Sequence, residues 1–199
     1  MSHVLPVTRD VPRIFCMPRV SASHGSHASH GSLARTLCIP LKFQSVVLPN
    51  GLIANLNGPY EGRRHDATML NESGLLRDLQ AVAWANDGTP LCLYGDPAYP
   101  LGIHLQAPFR NVDITPQMAR FNERMSEVRV AVEWMFGCVS NYYKFIEFQT
   151  QLQIGLSPVG KLYLPVVCGI LQNAHTCLYG NIVSDYFGVD PPNLVTYFW

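Results

Sequence analysis

The sequence predicts a mixed α/β domain, and three observations carry that prediction. Two strand-like runs, LKFQSVVL and LIANLNG, flank Pro49, Asn50 and Gly51. A compact apolar run, TPLCLYGD, closes at Gly95, Asp96 and Pro97. From Pro116 onward, apolar residues recur at helical spacing. Period-two and period-3.6 patterns in one chain call for a sheet covered by helices. The 199 residues suit one such domain, or one domain with a tail. With 48% hydrophobic and 14% charged residues, the chain can bury a core and is not disordered overall.

Residues 1–40 read as an irregular Ser/His/Pro-rich segment. They hold Pro6, Pro12, Pro18 and Pro40 and the run SASHGSHASHGS, with His24, His27 and His30 at every third position. A loose metal-binding tract is one reading of those histidines. A flexible linker is the other, because no cysteine or carboxylate stands beside them to fix a coordination geometry. The regular domain spans residues 41–148, and an apolar extension packed on the core spans 149–199.

LKFQSVVL is rich in strand formers. Asn50-Gly51 between two such runs predicts a type I′ hairpin, whose central residues both need positive φ. PYEGRRHD then reads as a polar loop leading into a short helix over ATMLNESGLLRDLQ. Met69, Leu70, Leu75, Leu76 and Leu79 form its apolar face, which Gly74 weakens. TPLCLYGD reads as a buried strand and IHLQAPF as a shorter one. Thr115-Pro116 starts a helix, with a capping hydroxyl followed by proline at the first helical position. That helix is expected to run to Phe136, with Gly137 as its stop. Met118, Phe121, Met125, Val128, Val132 and Met135 make its buried stripe. Asn122, Ser126, Arg129 and Glu133 form a polar ridge beside the stripe, at the border of the core. LYLPVVCGILQNAHTCLYG predicts one more packed helix or strand-helix unit, and Pro191-Pro192 an extended tail.

Lysine plus arginine and aspartate plus glutamate both number 14, so the formal net charge is zero. Strong autonomous DNA binders are usually basic, so the balance argues against one and leaves room for a local basic patch. The six cysteines form no C-x-x-C pair, which weakens a zinc-finger reading. They lie in apolar segments, with no secretory signal at the start, and read as reduced, intracellular and mostly buried. The longest apolar stretch, Leu162 to Leu171, is too short to span a bilayer. No HExxH or His/Cys signature points to a zinc hydrolase.

Three carboxylates stand at informative places. Asp66 ends the polar loop, Asp96 ends the buried strand, and Glu133 lies on the long helix. Each has a structural alternative. Asp66 can cap the helix starting at Ala67, worth about 1 kcal/mol. Asp96 can serve the turn before Pro97. Glu133 can pair with Arg129 one turn earlier, worth a few tenths of a kcal/mol. Arg63 and Arg64 beside Asp66 can meet DNA phosphates, or simply form a solvated loop.

Taken together, LKFQSVVLPNGLIANLNGPYEGRRHDATML, LYGDPAYP and FNERMSEVRVAVEWMFG resemble the DDE superfamily endonuclease domain of PIF/Harbinger transposases and their domesticated nuclease relatives. The resemblance covers about Leu41 to Phe148. It implies a ribonuclease-H-like mixed sheet flanked by helices. One acid of that fold comes from the first central strand, one from the end of the fourth strand, and a glutamate from a later helix. Asp96 matches the second and Glu133 the third. Asp66 matches the aspartate of the family's His-Asp motif and joins them as a candidate catalytic and metal-binding carboxylate. The implied chemistry is phosphodiester hydrolysis assisted by Mg²⁺ or Mn²⁺. Two such ions about 4 Å apart can serve the attacking and leaving oxygens of an in-line displacement, and both prefer oxygen ligands. DNA as substrate and a nuclear location follow from the same resemblance. No helix-turn-helix reader is visible, so target choice would call for a separate DNA-binding partner or a lost domain.

The chain departs from the family at its start. The family's first aspartate sits in an Asp-Gly-Thr-like strand ahead of the LKFQ block, and no such motif precedes Leu41. Asp87-Gly88-Thr89 comes too late and reads as a turn. Asp10 is the only upstream aspartate, and Pro12 and Pro18 suit a central strand poorly. The first strand is therefore expected to be missing or replaced. Arg13–Met17 is the only strand-like run available to fill its slot. Two functions remain open: a metal-dependent endonuclease, or a domesticated fragment that keeps the scaffold and has lost cleavage.

Overall fold

The computed structural model describes residues 14–16, 41–61, 63–110, 113–143 and 158–199. Asp10, Arg13, Met17 and the His24–His30 tract lie outside the described residues.

Leu41–Val47 forms strand β2 and Ile53–Glu61 forms β3, paired as an antiparallel hairpin. Its turn is not the expected type I′. Gly51 N donates to Leu48 O at 2.9 Å and Leu48 N to Leu52 O at 2.8 Å, closing a three-residue loop with Gly51 at φ 79°. A two-residue turn would pair Pro49 with Leu52, and proline has no N–H to donate. β3 also runs on through Pro59 and Tyr60, which the sequence assigned to a loop. It is an edge strand, where proline is tolerated.

Ile14–Cys16 forms β1, so the strand-like run before Leu41 does enter the sheet. It pairs antiparallel with β2 and parallel with β4, Leu93–Tyr94. β4 in turn pairs parallel with β5, Leu105–Gln106. The strand order is β3-β2-β1-β4-β5, with β1 central. TPLCLYGD thus yields only two strand residues, though Leu93 is fully buried as expected.

Successive residues of a strand point to opposite faces, and the two helical layers follow from that. Val46 and Leu93 pack with Leu70, Leu75 and Leu79 of helices α1 (Asp66–Ser73) and α2 (Leu75–Val82). Val47 and Tyr94 pack on the other face. Their partners there lie on α3 (Pro116–Tyr142), α4 (Pro158–Tyr179) and α5 (Ile182–Phe187). The expected single helix over residues 67–80 is two helices, because Gly74 takes a left-handed φ of 70° and ends the first.

α3 starts as expected: Thr115 caps it by accepting from Met118 N, and Pro116 is the first helical residue. It does not stop at Gly137. Val139 is buried two residues further on, and that packing outweighs the roughly 1 kcal/mol helix penalty of glycine. α4 fills the predicted apolar segment. Its buried Asn173 accepts from Ile53 N and donates to Ile53 O, both at 2.8 Å, and so pins α4 to the edge of β3. The expected extended tail after Pro192 contains a short helix, α6 (Leu194–Phe198), capped by Asn193. Among the described residues, no helix is long and apolar enough to cross a membrane. Of the cysteines whose side chains are described, Cys168 is buried and Cys92, Cys138 and Cys177 are partly so. Burial pushes all four thiols above their ordinary pKa.

Candidate functional site

β2 builds the site from its α1-facing side. Lys42, Gln44 and Val46 alternate on that face, and all three are buried. Lys42 Nζ donates to Asp66 Oδ1 at 2.6 Å and to the Arg64 carbonyl at 2.9 Å. Two residues along, Gln44 Nε2 donates to the Tyr99 hydroxyl at 3.1 Å. One strand therefore grips both the Arg63–Asp66 loop and the turn that follows Asp96.

The Lys42 side chain is 4% exposed and that of Asp66 18%. The pair is largely removed from water, so each charge depends on the other. Asp66 is the first residue of α1, and its carboxylate makes no capping bond. The capping alternative is thus replaced by an ion pair. Arg64 pairs with Glu72 at the surface, an arrangement of small energetic weight. Arg63 and His65 are exposed.

Asp96 lies two residues past the end of β4. Its Oδ1 accepts from Ala98 N at 2.6 Å, and its carbonyl accepts from Tyr99 N at 3.2 Å. The turn role anticipated for it is therefore real. Gly95 before it is buried, and a Cβ there would stand 2.9 Å from Tyr99 Cδ2. Only glycine lets the tyrosine close over the strand end.

These two tethers bring Asp66 and Asp96 to one cleft of about 560 Å³, lined also by Lys42, Arg63, Arg64, His65 and Thr68. Glu133 is not part of its lining. It is exposed, not at the core border as the ridge predicted. Of that ridge, Asn122 and Arg129 are half-buried while Ser126 and Glu133 face solvent. Among the described residues no ion pair joins Glu133 to Arg129, whose Nε is buried without a partner. Asp87-Gly88-Thr89 is a turn, as expected. Gly88 has φ 81°, and hydrogen bonds from Thr89 hold the Asp87 carboxyl below the usual range.

Lys42, Gln44 and Tyr99 were not singled out by sequence reasoning. The available signal was a pair of long polar side chains, alternating with apolar ones, on a strand face otherwise bound for the core.

The family described as DDE superfamily endonuclease matches residues 24–173, more than half of the 199-residue chain. No curated protein and no solved structure matches it. Endonucleases of this kind typically use divalent metals. The donors described do not fit such a centre as they stand. Asp66 is bonded to Lys42, one Asp96 oxygen serves its own turn, and Glu133 lies outside the cleft. Among the described residues, no three His, Cys, Asp or Glu side chains gather closely enough to hold an ion.

Proposed function

The chain belongs to the DDE superfamily endonuclease family, and from that premise we propose that it is a transposase-derived nuclease domain of PIF/Harbinger type that binds DNA phosphates and no longer cleaves. The central strand β1 carries this reading. The ribonuclease-H-like fold requires an acid on its first central strand. Here that strand is Ile14-Phe15-Cys16, with no carboxylate. Its register sets Phe15 level with Tyr94, two residues before Asp96. The described residues of the central strand thus bring no carboxylate alongside the strand that leads to Asp96. The sheet order, a hairpin followed by a central strand and two parallel strands, supports the ribonuclease-H-like assignment.

DNA is the partner that best suits the family and the cationic groups Lys42, Arg63 and Arg64 along the cleft. With zero net charge, the chain would bind duplex weakly alone. A nuclear setting and a separate DNA-binding partner complete the proposal.

A second reading, a nuclease still active with Mg²⁺ or Mn²⁺, draws support from Asp66 and Asp96 sharing one cleft. Plasmid nicking separates the two. With either ion, the wild type should nick no faster than Asp96→Ala and Glu133→Ala. Wild-type nicking that both substitutions abolish would restore the active nuclease and make Asp96 and Glu133 its ligands.

A further inference from the structure

Among the described residues, Lys42 is the one buried ammonium that lines the cleft. An ammonium carries three donors. Asp66 Oδ1 takes one and the Arg64 carbonyl another. No acceptor among the described residues takes the third. A buried charged donor left without an acceptor costs stability, so such a group is poised for a ligand oxygen. The ligand it suits is anionic, because Arg63 at the same cleft also lacks a carboxylate partner among the described residues.

We propose that Lys42 is a phosphate-contact residue: its third donor meets a non-bridging oxygen of a DNA phosphodiester lying in the cleft, while Asp66 and the Arg64 carbonyl hold the ammonium in position. Asp66 is then a positioning residue that aims Lys42. The inference rests on the DNA-binding reading above and adds to it the residue that makes the contact.

The test is the salt dependence of duplex binding by the full chain, followed by fluorescence anisotropy with a labelled DNA duplex between about 50 and 200 mM salt. Lys42→Met risks misfolding by stranding Asp66. The double variant Lys42→Met/Asp66→Asn removes both charges together, and thermal unfolding checks that it folds. Asp66→Asn alone keeps the ammonium and its tie to Arg64. The expected result is a log–log salt slope shallower by about 1 in the double variant, with affinity lowered alike for unrelated sequences. Asp66→Asn, whose amide oxygen can still accept from the ammonium and keep it aimed, should keep the wild-type slope. A folded double variant with the wild-type slope overturns the assignment of Lys42 and leaves the DNA-binding reading standing. Equal loss in Asp66→Asn also overturns it, since the loop rather than the ammonium would then matter. A wild type that binds no duplex sinks the DNA-binding reading and this inference with it.

Discussion

At the scale of single residues, the ion pair of Lys42 and Asp66 governs the site. Both groups are mostly shielded from water, so losing one partner leaves a buried charge alone. Lys42→Met should destabilise the fold by about 3–5 kcal/mol, and Lys42→Met/Asp66→Asn by clearly less. Urea unfolding of both variants measures this. Equal losses would mean that the pair's geometry, not its charge balance, holds the loop. Asp66 was recognisable in sequence by its place after Arg63-Arg64-His65, but its partner was not. Nothing local links position 42 to position 66. Only the hairpin, by turning Lys42 toward α1, brings the two within 2.6 Å.

At the scale of elements, two glycines with the same helix-weakening reputation behave oppositely. Gly137 is helical and exposed, and a Cβ added there would touch nothing. Gly137→Ala should therefore stabilise the protein by up to about 1 kcal/mol. Gly74 joins α1 to α2 at φ 70°, where an L side chain is strained. Gly74→Ala should destabilise it by about 1 kcal/mol. Paired thermal melts check the signs, and a destabilised Gly137→Ala would mean that α3 ends nearer Phe136. The starts of elements were readable from sequence, as at Thr115-Pro116, because capping chemistry is local. Their ends were not. Val139 can carry a helix past Gly137 only because the core waits for it, and β3 can absorb Pro59 only because it lies at an edge.

At the scale of the whole molecule, β1 joins the two halves of the sheet. It bonds β2 on one side and β4 on the other, so removing it would bare two strand edges at once. A chain truncated to begin at Leu41 should lose cooperative thermal unfolding and aggregate, read by calorimetry and size-exclusion chromatography. A truncated chain that stays monomeric and melts as the full chain does would show that β1 is dispensable. The alternation of strand and helix periods, the order of the three family blocks and the lack of an Asp-Gly-Thr motif ahead of Leu41 all lie in the sequence, because pattern and composition are properties of neighbouring residues. The placement of Ile14–Cys16 at the centre of the sheet, the shared cleft of Asp66 and Asp96, and the exposure of Glu133 outside it were decided by tertiary structure. Those features depend on strand register and on which buried side chains meet across long sequence separations, and no local pattern encodes either.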